Sequence, residues 1–195
     1  VVFVTIPLIS LAYAGVPAFG QEDWLKALKN YVPPERTIVS KKVSQKAPEI
    51  FPPPVFMKHA TFTLDPTFVP SISGDKGHVL LQLKRGLDSQ MKRQLKEYGV
   101  KLLGYIPCNA WEASLPAKSV REIKALDFVH TVGDLYPIDK LSNHIIERGF
   151  SAHSYNKDGT LTVLVSFCKD VTSKKVLEIL SDLSTTTPQK DLLSG

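Results

Sequence analysis

With 195 residues, 43% of them hydrophobic and 22% charged, the chain has the composition of an ordinary globular protein of one or two small domains, which sets aside low-complexity and fibrous classes. Its formal charge of +5 permits an anionic partner without demanding one, because the lysines are spread over predicted helix faces. Two cysteines, Cys108 and Cys168, are too few for a disulfide framework, and neither stands in the CxxC spacing of a zinc or redox site.

The first predicted element is an apolar run from Val1 to Val16. It is shorter than the roughly 20 apolar residues that span a bilayer, and Pro7 and Gly15 interrupt it. Small residues in Ala12-Tyr13-Ala14 and Ala18-Phe19-Gly20 suit a signal peptidase, and polar Gln21-Glu22-Asp23 come directly after them. The expectation is a secretory leader over residues 1–20 with its charged start missing. It implies a product that is secreted, extracellular or held in the cell envelope, with no stable membrane insertion once the leader is removed. A buried first strand or helix is the alternative for the same run.

Residues 21–76 read as a short helix and a proline-rich linker. Trp24, Leu25 and Leu28 share one side of the helix, and Tyr31-Val32-Pro33-Pro34 ends it, since proline lacks the amide and clashes with the preceding turn. Prolines recur from there, as in Phe51-Pro52-Pro53-Pro54, without a helical or strand period, which predicts an extended, mobile segment. Within it, Ala60 to Leu64 alternates like a short strand docking onto the domain C-terminal to it.

Residues 77–141 carry the clearest pattern. His78 to Lys84 alternates as a half-buried strand, with Val79, Leu81 and Leu83 inward. Leu87-Asp88-Ser89 opens a helix that places Met91, Leu95 and Tyr98 on one face, and Gly99 closes it. Val100 to Ile106 and Ala110 to Leu115 are strands joined by the turn Pro107-Cys108-Asn109. Pro116 then starts a second helix with Val120, Ile123 and Leu126 inward, and Phe128 to Gly133 is a fourth strand. The order predicts an α+β fold, a ferredoxin-like β-α-β-β-α-β unit with two helices on one face of an antiparallel four-stranded sheet.

Residues 142–195 read as the start of a second, similar unit. Leu161, Val163, Val165 and Phe167 form one face of a strand, and Thr172 caps a helix carrying Val176, Ile179, Leu180 and Leu183. This repeats the earlier order at a lag of roughly eighty residues, without the strands that would complete it. With the absent initial methionine, it predicts a piece of a longer reading frame.

Catalysis needs groups within reach of each other, and no motif gathers them here. His59, His78, His130, His144 and His153 include no HExxH pair, and no GxSxG elbow or phosphate-cradling glycine loop is present. Catalytic, metal and cofactor residues are therefore expected to be none. RNA-binding domains share the predicted element order but carry a basic-Gly-aromatic motif on the third strand; Ala110-Trp111-Glu112-Ala113-Ser114-Leu115 lacks it, so a nucleic-acid partner is not expected.

The stretches Val79-Leu80-Leu81-Gln82-Leu83, Leu95 to Ala110, Leu126-Asp127-Phe128-Val129 and Val132 to Leu141 resemble the propeptide-like domain found ahead of the catalytic domain in secreted subtilisin-like serine peptidases. The likeness covers about a third of the chain and is carried best by Gly104, Tyr105, Ile106 and Pro107 with Asn109 and Ala110, then by Val132, Gly133, Tyr136 and Pro137. It implies a folding aid or inhibitor acting by protein contact, partnered by the catalytic domain of the same polypeptide or another protein domain. It further implies that the open sheet face packs on that partner, with Tyr105 and Trp111 as contact candidates. A stand-alone exported binding or adhesion module of the same fold is the alternative.

Overall fold

The computed structural model describes residues 2–7, 23–40, 53–157 and 160–182. Contacts divide the chain into two units, residues 31–143 and residues 1–30 with 144–195.

In the larger unit, β5 (Lys76–Leu83), β6 (Lys101–Ile106), β7 (Ala110–Pro116) and β8 (Val129–Asp134) form an antiparallel sheet in the order β6-β7-β5-β8. Helix α2 (Ser89–Glu97) follows β5, and a 3-10 turn at Ala117–Ser119 leads into α3 (Val120–Lys124) before β8. Local chemistry sets the boundaries. Asp88 accepts the Met91 amide at 2.8 Å, satisfying one orphan donor of the first helical turn. Gly99, at φ +77, takes the left-handed conformation past the helix end that a Cβ would disfavour. Met91 and Leu95 from α2 and Val120 and Ile123 from α3 close on Val79, Leu81, Leu83, Ala113, Leu115, Val129 and Val132 to make one core.

The other face of this sheet is also covered. Strands β2 (Arg36–Ser40), β3 (Val55–Phe56) and β4 (Thr61–Leu64) form an antiparallel sheet in the order β2-β4-β3. Val55, Ala60, Phe62 and Leu64 pack with Leu80 and Ala110 into a second, smaller core. Proline punctuation predicts a mobile linker here, whereas the described part of it is a cover of short strands; residues 41–52 lie outside the described residues. The prolines are compatible with it because none falls inside a strand of the cover: Pro33 and Pro54 are buried beside β2 and β3, where no ladder amide is needed. Strand β5 is correspondingly not half-buried, for every residue from Val79 to Leu83 is buried.

The cover sits close. A Cβ built on Gly133 would lie 2.9 Å from Leu64 Cδ2, so a larger residue there would force the buried Leu64 side chain to shift from its seat on β8. Gly133→Ala is expected to destabilise by about 1–3 kcal/mol through overpacking. Leu64→Ala in the same chain should remove the clash, so the two changes together should cost less than the sum of each alone, as read from urea midpoints.

In the smaller unit, β1 (Val2–Pro7) pairs antiparallel with β9 (Thr160–Val165), from Val2 opposite Val165 to Pro7 opposite Thr160. The unit also holds α1 (Asp23–Asn30), α4 (Asn143–Arg148, from His144 on) and α5 (Ser173–Asp182). Thr172 accepts the Lys175 amide at 3.3 Å, as the cap reading expects, and Leu161 and Leu180 are buried. The strand partner of β9 is thus the first segment of the run read as a leader; residues 8–22 lie outside the described residues.

Candidate functional site

The residues singled out from sequence fall at two places. Gly104, Tyr105 and Ile106 lie on β6 at the margin of the sheet, beside a register shift between Leu102 and Gly104. Cys108 and Asn109, at φ 66 and 58, place two consecutive residues of the β6–β7 turn in the left-handed region, where the short polar side chain of asparagine is at home and cysteine is strained. Ala110 belongs to the cover-side core. Tyr105 pairs in register with Trp111, their ring centroids 5.1 Å apart in an edge-on contact. Trp111 packs against the helix-side core, while Tyr105 is 59% exposed. The two contact candidates therefore stand on the helix side of the sheet margin. The opposite face presents Leu80, Gln82, Ala110, Thr131 and Gly133, all of them buried, with the half-buried Glu112 in register with Leu80.

Val132, Gly133, Tyr136 and Pro137 lead to the second place, a buried charged cluster that the sequence reading missed. Arg36, in β2, sends Nη1 to Asp139 Oδ1 at 2.9 Å and Nη2 to Asp139 Oδ2 at 2.6 Å, and donates from Nη2 to the Asp134 carbonyl at 2.7 Å. Pro137 starts the 3-10 turn Pro137–Lys140, which aims Asp139 inward and lets its carboxylate accept the Tyr136 amide at 2.8 Å. The Tyr136 hydroxyl donates to Glu35 Oε2 at 2.9 Å, and His59 Nε2 lies 3.4 Å from Asp139 Oδ1. The guanidinium is sandwiched between rings, with Cζ 4.2 Å from the Phe62 centroid and 4.8 Å from that of Tyr136. Side chains of Glu35, Arg36 and Asp139 are almost wholly removed from water.

These surroundings shift the titrating groups. Burial pushes the Tyr136 hydroxyl far above the usual phenol range, and the Glu35 carboxylate adds to the shift. Burial also lowers the pKa of His59; Asp139 opposes this and Arg36 reinforces it. His59 thus holds its proton less readily in the folded chain than unfolded, so its contribution to stability is full above about pH 6.5 and is lost as pH falls through the lowered folded value. Burial lowers His130 as well, with Lys84 adding to it, and acts in the same direction. The urea midpoint is expected to fall between pH 7.5 and pH 5.5, and His59→Gln to flatten that slope without abolishing it.

Chemically the cluster is a tie. Both Asp139 oxygens bond Arg36 and the guanidinium lies against two rings, while Glu35 Oε1, Arg36 Nε and His59 Nδ1 are buried without a hydrogen-bond partner. It fastens the cover to the turn after β8, together with lesser bonds. Gln82 Nε2 donates to the Pro53 carbonyl at 2.6 Å, Thr131 Oγ1 donates to the Asp65 carbonyl at 3.1 Å, and Lys124 Nζ donates to the carbonyls of Pro66 and Phe68. No short-range pattern signals it, because Arg36 and Asp139 are 103 residues apart.

No curated protein and no solved structure matches the chain. Over residues 42–136 it is similar to a family described as a domain of unknown function (DUF8729), a span that takes in β3 and β4 of the cover together with all four strands of the larger sheet.

Proposed function

We propose that the larger unit is a ferredoxin-like, propeptide-like module of a secreted subtilisin-like serine peptidase, which aids folding or inhibits through protein contact and performs no chemistry of its own. The observation that carries this reading is the motif set Gly104 to Ala110 and Val132 to Pro137, lying on an antiparallel sheet whose strand order, β6-β7-β5-β8, with intervening α2 and α3, suits that fold. Export rests on the apolar start and the small residues after it. No helix among the described residues is long and apolar enough to cross a membrane.

The second reading, a stand-alone exported binding or adhesion module, is favoured by one specific feature. The sheet face that a propeptide would offer to its enzyme is occupied by the chain's own β2-β4-β3 cover. Coding sequence beyond residue 195 separates the two. A peptidase is expected to show an Asp-Thr-Gly strand end, a His-Gly-Thr helix and a Gly-Thr-Ser-Met-Ala segment, and the purified chain should then raise the refolding yield of that catalytic domain. An unrelated domain in that position, or no effect on refolding, overturns the first reading.

A further inference from the structure

We infer that the β2-β4-β3 sheet is a lid: it opens as a cooperative unit and bares the sheet face of Leu80, Gln82, Ala110, Thr131 and Gly133 while the helix-side core stays folded. The inference stands on the layering of the unit and not on the propeptide reading. The larger unit has two separate apolar cores, one on each side of the β6-β7-β5-β8 sheet, and they are unequal. Among the described residues, thirteen buried ones make up the helix-side core and six the lid-side core, of which only Leu80 and Ala110 come from the sheet.

The two layers are also joined differently from the strands within each. Pairing runs β2-β4-β3 within the lid and β6-β7-β5-β8 within the sheet, and among the described residues no ladder connects them. What crosses between them is side-chain chemistry: the Arg36–Asp139 pair, the Tyr136–Glu35 bond, Gln82 to Pro53, Thr131 to Asp65, and Lys124 to Pro66 and Phe68. Detaching the lid therefore breaks none of the ladder bonds of either sheet. Segments with few apolar anchors open at lower free energy than the main core, and contiguous elements open together. The lid has the smaller core, and its strongest tie is a buried ion pair, which gains little net stability once desolvation is counted. Residues 69–71, between the last of these bonds at Phe68 and Ile72, which packs on the helix-side core, are the hinge on which it would swing.

Native-state hydrogen exchange on the whole chain tests this. In the unaltered protein, amides of Thr61 to Leu64 and of β2 should show protection at least about tenfold lower than those of β5, β7 and α2, with opening as one group in low urea. Arg36→Met should lower lid protection by at least about a further tenfold and leave the Leu81, Ala113 and Leu95 amides unchanged. Equal protection of lid and sheet, or an equal loss across both in the variant, overturns the inference. The first measurement needs no variant, so poor folding of Arg36→Met leaves the test intact.

Discussion

Arg36→Ala is expected to remove roughly 3–5 kcal/mol from the attachment of the cover, the cost of leaving one member of a buried ion pair without its partner. Besides Arg36, His59 Nε2 lies 3.4 Å from Asp139 Oδ1, but burial lowers its pKa and a single imidazole contact does not replace the paired guanidinium bonds. Arg36→Lys is expected to lose nearly as much, because an ammonium cannot make two parallel bonds to Asp139, reach the Asp134 carbonyl and stack between Phe62 and Tyr136 at once. The double change Arg36→Met with Asp139→Leu should recover much of the loss, since apolar groups of similar volume often replace a buried pair at little cost. Exchange of the Phe62 amide and urea unfolding together give the numbers. A double variant no better than Arg36→Ala would show that Asp139 serves chiefly through its bond to the Tyr136 amide.

Phe62→Ala is the second large effect, about 3–5 kcal/mol by loss of transfer energy and creation of a cavity. Phe62 is wholly buried at the centre of the lid-side core and also forms one wall of the guanidinium sandwich, so its removal strips apolar contact and the stack together. The two variants share a partner and should not add. A double change of Arg36→Ala with Phe62→Ala is expected to cost less than the sum of the singles, as residues in one network do. Strict additivity in a denaturant cycle would mean that the ring and the guanidinium act independently. Against a typical total stability of about 5–15 kcal/mol, either single change is a large fraction.

Legibility in the sequence depended on range and length. The β5-to-β8 region is readable because its signals are local and repeated: alternation in strands of six to eight residues, Asp88 three residues before the amide it caps, Gly99 at the helix end. The cover offers no such repetition. Strand β3 has two residues and β4 four, and the β2–β4 pairing shifts register between Ile38 and Ser40, so no period develops. Ala60 to Leu64 alone hinted at docking, and β4 occupies Thr61–Leu64. The Arg36 cluster was invisible for a different reason: burial of a charge depends on a partner brought from far along the chain, and nothing near Arg36 in sequence names Asp139. The Tyr105–Trp111 pair could be found from the motif, but not its side of the sheet, because alternation fixes which residues share a face and not what covers it.

The burial of β5 on both faces gives other chains a written signature. A strand with solvent on one side can carry a charge at every second position, whereas Val79-Leu80-Leu81-Gln82-Leu83 has no position free for one, and its single polar residue is bound to the Pro53 carbonyl. A relative that keeps this uncharged run should keep a cover upstream, however unlike its prolines and strand lengths. A relative with lysine or glutamate in place of Leu80 or Gln82 should lack it, and should present to its surroundings a surface that this chain keeps to itself.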